Sequence, residues 1–524
     1  VSLDHVALLP AYIAAGTALL AFVVDLFTAN LPGSGRHRVV LAATAVGAIV
    51  TGAAAILVGR GGTRATFCAG QVGCSYVADH TAALVAALFA GLTLLVLGLS
   101  AGAVRRLPPG EYCFLLAASM TGGVVLGYAR DLISLIVALE TLTLPLYLLV
   151  GLRARATPET GAGRARADRA GSAAAGAEAP DGTDPAGRLA SAEGSFSFFV
   201  VSVVSSAIAL LGAALLYAAT GAVHFGAVNA ALAGNPQVRD LPLTGVAVVL
   251  LLAGLSFKVA AVPFHAWAPV TYDGGPVPIA AYLSTASKLG GVIAIVSLTG
   301  HALGPSLNLA GPALALLAVL TMTVGNLAAL RQSRMVRLLA WSSIAQAGYI
   351  LAPLGGLALA RGRTSDAVGT AIAAVLGYTF FYVILEVAAF GSVVALRGDL
   401  DGGSIDEYRG ALRRAPGVVI VFVLALVGLA GLPPGLAGLF AKVVVVRSLL
   451  AGGSTWLAIV VALNAVVGLA YYLRVAAVLV SPGDAAAAPV PGPRRWPVLA
   501  ALGVAAVAAV VVGFAPQLVL SAVR

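Results

Sequence analysis

Apolar residues in this chain do not alternate with polar ones at short period; they run in long blocks separated by brief polar breaks. Runs of 17 or more apolar positions give fourteen candidate helices, each near the ~20 residues that a bilayer-spanning helix requires. They lie near 6–27, 39–58, 81–104, 112–128, 132–152, 196–219, 243–270, 276–299, 307–330, 338–354, 367–396, 416–450, 456–473 and 496–518. The pattern predicts an all-α polytopic membrane protein of about 14 transmembrane helices. An even number of crossings puts both ends of the chain on one side.

The organisation follows from those blocks. Residues 1–110 hold three N-terminal helices, 111–152 helices four and five, 195–303 helices six to eight, 304–480 helices nine to thirteen, and 481–524 the last helix. Between them, 153–194 is rich in Ala, Gly, Arg, Asp and Pro with no hydrophobic period, which predicts a flexible cytoplasmic insertion. Two spans are too long for one straight crossing: 243–270 contains Pro263 and Pro269, and 416–450 contains Leu432-Pro433-Pro434-Gly435. Proline removes an N–H and displaces the carbonyl one turn back, so helices seven and twelve are expected to break at Pro263 and at Pro433 and Pro434. Such backbone is tolerated at membrane depth only inside protein or along a watery cavity. Breaks at corresponding places in the blocks 112–299 and 307–473 read as two inverted five-helix repeats of a transporter, against the plainer reading of two unrelated kinks.

Composition sharpens this. Of 524 residues, 60 % are apolar and only 10 % charged, against about a quarter charged in a soluble domain. Three Cys exclude both a disulfide scaffold and an iron–sulfur cluster held by four Cys. The sequence starts at Val1 with no cleavable signal pattern, so the first apolar stretch is expected to remain a helix. The net charge of +10 comes from 31 Lys and Arg against 21 Asp and Glu. Of those cations 28 are Arg, twenty in loops opposite the termini and eight on the terminal side. Cytoplasmic loops retain positive charge, so both termini are expected outside. Cys68 and Cys74 then face the oxidising compartment, where a disulfide and two free thiols are both compatible with the sequence. Cys113 reads as a small packed residue, and Asp25, at a helix end, is expected to face headgroups.

Five ionisable residues fall well inside apolar spans: Glu140, Lys258, Lys288, Glu386 and Lys442. Each costs on the order of 3 kcal/mol there. Glu140 lies nine residues after Asp131, ~13 Å along a helix and near the midplane. Lys258 precedes Pro263, Lys442 follows Pro433 and Pro434, and Lys288 is ten residues beyond Pro278. Broken helices bring freed carbonyls and a titratable amine together, as a proton path needs; the plain alternative is a lysine snorkelling to the interface. Glu386 is open to two readings, a protonated acid bonded to Tyr382 one turn back or a functional charge. All three Lys lie in spans whereas the loop cations are Arg. Arg keeps its proton in proteins and Lys need not, so the choice of Lys argues for groups that titrate.

Several motifs, in order, carry a resemblance. Phe257-Lys258-Val259-Ala260-Ala261-Val262-Pro263-Phe264-His265-Ala266-Trp267, Ser284-Thr285-Ala286-Ser287-Lys288, Asn326-Leu327-Ala328-Ala329-Leu330-Arg331, Arg337-Leu338-Leu339-Ala340-Trp341-Ser342-Ser343, Gly431-Leu432-Pro433-Pro434 and Phe440-Ala441-Lys442 resemble the core of the antiporter-like, proton-translocating subunits of respiratory complex I, over about 112–473. Lys442 fits the N-type or L-type members, and the chain most resembles the N type. The resemblance implies that Glu140 is the glutamate of the fifth helix and that Lys258, Lys288 and Lys442 are the lysines of the seventh, eighth and twelfth.

It further implies a subunit of an NADH-quinone oxidoreductase, a respiratory-chain translocase of the bacterial inner membrane that couples quinone reduction elsewhere to proton pumping. NADH, FMN, iron–sulfur clusters and quinone would be bound by other subunits, with no redox centre, cofactor or metal in this chain. Partners would be the neighbouring antiporter-like and small membrane subunits and the lipid bilayer, with no nucleic acid. His265, Glu386, Tyr382 and Gln346 are possible accessory residues. Ser197 stands where many members have Lys, Gln346 where many have His, and Glu386 is not expected from the family. The alternatives are a subunit of a multisubunit sodium/proton antiporter, which shares most of these motifs, and a membrane scaffold with vestigial charges.

Overall fold

Long apolar blocks fold as helices here because a bilayer offers no water to a bare amide, and a helix satisfies its backbone internally. The computed structural model describes residues 3–31, 33–70, 73–152, 185–398, 401–483 and 496–523. The main helices are α1 (His5–Phe27), α2 (Gly33–Arg60), α3 (His80–Leu99), α4 (Pro109–Tyr128), α5 (Leu132–Gly151), α6 (Pro185–Thr220), α7 (Phe225–Gly234), α8 (Pro242–Lys258), α9 (Trp267–Gly274), α10 (Val277–His301, with a π turn at Leu283–Ser287), α11 (Leu307–Leu330), α12 (Met335–Gly355), α13 (Ser365–Arg397), α14 (Pro416–Ala430), α15 (Leu436–Ala451), α16 (Thr455–Val480) and α17 (Trp496–Phe514). Among the described residues twelve helices are long and apolar enough to cross a membrane. The stretches 243–270 and 416–450 are instead each carried by two shorter helices, α8 with α9 and α14 with α15.

The ends of α8 and α14 are built alike. The amides of Ala260 and Ala261 bond back to Phe257 and Ser256, and those of Gly431 and Leu432 to Gly428 and Val427. Both are Schellman caps, with the turning residue left-handed: Ala260 at φ 56° and Gly431 at φ 84°. Three residues beyond each turning residue stands a proline after a cis peptide bond, Val262–Pro263 and Pro433–Pro434.

The core lies along α10, buried from Val277 to Thr299, and α12 and α13 beside it. Peripheral helices expose large apolar side chains such as Leu19, Phe22, Ile133, Leu463 and Val507, as lipid contact permits. Helices α11 and α12 approach at reciprocal glycines: a Cβ on Gly325 would lie 2.6 Å from the Ala345 amide nitrogen, and one on Gly348 2.5 Å from that of Met322. Small residues let backbones meet where hydrophobic burial gives no drive.

Two expectations change. Helix α6 begins at Pro185, inside the stretch 153–194; residues 153–184 lie outside the described residues. Its early turns are fastened by hydroxyl seams, Ser191 Oγ donating to Val150 O (2.8 Å), Ser195 Oγ to Tyr147 O (2.7 Å) and Thr271 Oγ1 to Gly194 O (3.0 Å). Asp25 does not face headgroups: it is buried and gripped by Arg36, with Nε and Nη2 each 2.6 Å from a carboxylate oxygen. The all-α fold also carries one small antiparallel hairpin, β1 (Arg64–Cys68) and β2 (Cys74–Ala78), closed by a Cys68–Cys74 disulfide.

At one end of the bundle Arg334 joins Asp273, at the end of α9, to Asp401 at 2.7 and 2.9 Å, while Arg397 holds Glu407 at 2.6 Å.

Candidate functional site

Lys258 is the last residue of α8, and its side chain crosses to α5 and α6. The ammonium donates to Glu140 Oε1 at 2.8 Å, Thr143 Oγ1 at 3.1 Å and Ser202 Oγ at 3.0 Å. An ammonium has three hydrogens, and all three are used. Ser206 Oγ donates to the same Glu140 oxygen at 2.5 Å, and Tyr147 OH donates to Ser202. A charge this deep is tolerable only with its counter-ion and further hydrogen bonds in place.

Lys288 directly follows the π turn of α10. It is buried, and its ammonium donates to Ser343 Oγ on α12 at 2.7 Å. Single π turns recur at functional positions because they rotate the side chains that follow them. Helix α10 meets the first lysine's backbone at Gly291, where a Cβ would lie 2.9 Å from the Lys258 carbonyl carbon.

Lys442, on α15, reaches back to the capped end of α14. Its ammonium donates to Leu429 O at 3.0 Å and to Ala430 O. These are last-turn carbonyls, at the negative end of that helix. The ammonium also stands 5.3 Å from the Tyr349 ring centroid. Gln346 Nε2 shares the Leu429 carbonyl at 3.1 Å, donates to Tyr472 OH at 3.0 Å, and its oxygen accepts from Tyr378 OH at 2.6 Å.

The remaining candidates are placed as follows. Glu386 on α13 is fully buried, and neither carboxylate oxygen has a hydrogen-bond partner among the described residues. The Tyr382 hydroxyl, one turn back on the same helix, donates to the Ser284 carbonyl in the π turn at 2.7 Å. His265, between α8 and α9, has its ring centroid 5.2 Å from that of Trp341, and its Nδ1 is without a partner among the described residues. Pro263, Pro433 and Pro434 lie in the segments between the paired helices. Among the described residues no three His, Cys, Asp or Glu side chains are grouped to hold a metal.

Sequence reasoning missed Thr143, Ser202, Ser206 and Ser343, the hydroxyls around Lys258, Glu140 and Lys288. Hydroxyl residues recurring one turn apart in an apolar run were the available signal, as at Ser202 and Ser206.

Residues 186–468 match the family described as "NADH:quinone oxidoreductase/Mrp antiporter, TM". An NADH-quinone oxidoreductase subunit N from Salinispora tropica is 57 % identical over 99 % of this chain and 98 % of its own. The chain belongs to the NADH-quinone oxidoreductase subunit N family. A further member, subunit N 2 of Streptomyces griseus, is 39 % identical over 99 % of this chain and 93 % of its own. Among solved structures, a chain of respiratory complex I from Thermus thermophilus with bound aureothin matches with a TM-score of 0.73 at 28 % identity, covering 98 % of both chains. The fold is shared more widely: a chain of the Mrp complex from Dietzia gives a TM-score of 0.77 at 20 % identity, over 99 % of this chain and 96 % of that one. As a subunit N family member the chain is a multi-pass, membrane-embedded protein.

Proposed function

We propose that this chain translocates protons as subunit N of NADH-quinone oxidoreductase in a bacterial inner membrane, both termini on the outer face. Glu140, Lys258, Lys288 and Lys442 form the path. The observation that carries this reading is the buried Lys258 ammonium, tied to Glu140 and two hydroxyls at the end of an interrupted helix. Glu140 holds the proton on Lys258; weakening that pair lets a desolvated amine release it. Lys288 relays the charge along the midplane, and Lys442, in contact with the freed carbonyls of α14, exchanges it with the far side. The like-built ends of α8 and α14 support two inverted repeats, 112–299 and 307–473. The driving energy comes from quinone reduction in partner subunits, which carry the NADH, flavin, iron–sulfur and quinone sites, and this chain packs among antiporter-like and small membrane subunits.

The test replaces Lys258 and Lys442 separately by Arg and by Ala in the assembled complex, with NADH-driven quinone reduction and proton uptake measured in vesicles. Arg keeps the charge and cannot release the proton, so both replacements are expected to lose pumping. Full pumping in the Arg variants overturns the reading. The family description also names the Mrp antiporters, and purification separates the two: redox subunits with flavin and iron–sulfur clusters accompany a complex I subunit, and only small membrane subunits accompany an antiporter.

A further inference from the structure

Of the three groups that solvate the Lys258 ammonium, one leads outward. Glu140 is the counter-ion. Thr143 gives its own hydrogen to Leu139 O at 2.9 Å, so it accepts from the lysine and has nothing to pass on. Ser202 accepts from Lys258 at 3.0 Å and from Tyr147 OH, and among the described residues it donates to no carbonyl. A hydroxyl has one hydrogen and two acceptor sites. Both acceptor sites of Ser202 are filled and its hydrogen is uncommitted, so this oxygen can give a proton as well as take one.

Tyr147 carries the line away from the lysine. It stands two turns beyond Glu140 on α5, roughly 10 Å along the axis. It is buried, with its ring edge-on to Phe198 and Phe199 of α6 at 4.7 and 5.6 Å. It also lines a groove of about 660 Å³ whose walls are largely apolar, as at Leu19 and Phe22 of α1 and Leu148 of α5. The polar members mark a track across those walls. Glu111 is exposed in the first turn of α4, and Ser195 Oγ donates to the Tyr147 carbonyl at 2.7 Å. Gly151 and Leu152, also in the lining, close α5. The groove therefore runs from Tyr147 to the end of the bundle where α4 begins, which is the cytoplasmic end in the orientation proposed above.

We propose that Tyr147 and Ser202 form the relay that reloads Lys258 from the cytoplasmic side. When Lys258 is a neutral amine, the Ser202 O–H bond breaks and an N–H bond forms on Nζ, while the Tyr147 O–H breaks and a new O–H forms on Ser202. The tyrosinate left behind takes a proton from hydronium that enters the groove past Glu111, leaving water. One proton comes in, both hydroxyls end as they began, and Lys258 is again an ammonium. This inference rests on the proton path proposed above and names its entrance.

The experiment compares Y147F, S202A, S202T, the Y147F and S202A double variant and K258A in the assembled complex in vesicles, reading proton uptake per NADH oxidised. Y147F keeps the ring against Phe198 and Phe199 and leaves Ser202 on Lys258; only the relay oxygen goes. The expected result is that Y147F, S202A and the double variant each lose the share of uptake that K258A loses, while S202T, which keeps the hydroxyl, retains it. Wild-type uptake in Y147F and S202A with loss in K258A overturns the relay alone. Wild-type uptake in K258A overturns the path itself. Partial losses that add in the double variant mark two separate packing effects and overturn the relay. Should Y147F fail to assemble, S202A and S202T decide: equal uptake in the two overturns the proposal.

Discussion

Lys258 and Glu140 form an ion pair whose two ends see different surroundings, the lysine side chain 3 % exposed and the glutamate 31 %. The ammonium depends on protein groups for its solvation, whereas the carboxylate reaches the bundle surface. A change of charge outside the bundle therefore acts on Lys258 through Glu140, at a depth where screening by water is weak.

Glu140→Gln keeps the shape of the pair and removes its charge. The ammonium is left with neutral oxygens only, and breaking a buried pair by deleting one partner costs about 3–5 kcal/mol, less here because the carboxylate is partly exposed. Proton uptake in vesicles is expected to fall sharply, with a lower thermal midpoint for the purified complex. Wild-type uptake in this variant would show that the pair has no part in translocation.

Gly431→Ala tests the second lysine through its cap. The residue sits at φ 84°, and a Cβ there would meet Lys442 Cδ at 2.7 Å and Nζ at 3.0 Å. The left-handed conformation costs a non-glycine residue about 1–2 kcal/mol, and the methyl displaces the lysine from the carbonyls of Leu429 and Ala430. Pumping and stability are both expected to drop in the assembled complex. A Gly431→Ala complex with unaltered uptake would mean that Lys442 need not occupy this position.

Much of this was legible because each signal was local. Apolar runs mark the spans, and Gly431 ahead of Pro433 and Pro434 marks the end of α14. The matching turn at Ala260 was marked only by Pro263 three residues on, since an alanine with positive φ does not look like a helix stop. The hydroxyl partners of Lys258 were hidden for a different reason. Most hydroxyls in these helices bond their own backbone one turn back, as Thr44, Thr51 and Thr93 do, and only tertiary approach turns Ser202 towards an ammonium. Asp25 shows the same limit: its position at a helix end was visible, but its pairing with Arg36 required the packing of α1 against α2.

The charge cluster beneath α9 carries a pH dependence of definite sign. Burial raises the Asp401 carboxyl, but the hydrogen bond from Arg334 and the charges of Arg334 and Arg397 outweigh it and hold it below the usual carboxylate range. Glu407 is held down too, first by the Ser404 amide, against burial, and then by Arg397. A depressed carboxyl contributes stability that is complete above its unfolded pKa, about 4, and lost as pH falls through the folded value. Asp401→Asn is expected to lower the thermal midpoint at pH 7 by the equivalent of about 1 kcal/mol or less, since the pair is half exposed. The gap to wild type should close below about pH 4; a gap independent of pH would show that the carboxylate charge contributes nothing.

The β hairpin offers a test of which way the chain is threaded. It is tied to the bundle end by Arg64 to Asp4 (3.1 Å), by Ser75 Oγ to His224 Nε2 (3.2 Å) and by Tyr76 stacked on Tyr128 at 4.8 Å. Those ties do not involve the disulfide, so reducing Cys68–Cys74 should leave the bundle intact. If both termini lie outside, as proposed, the hairpin faces the medium. In spheroplasts, a membrane-impermeant reductant followed by an impermeant maleimide is expected to label Cys68 and Cys74, with a Cys68→Ser, Cys74→Ser variant as the blank. The buried Cys113 should stay unlabelled. Labelling that appears only after lysis would invert the topology, and with it the side of the membrane on which Lys442 exchanges its proton.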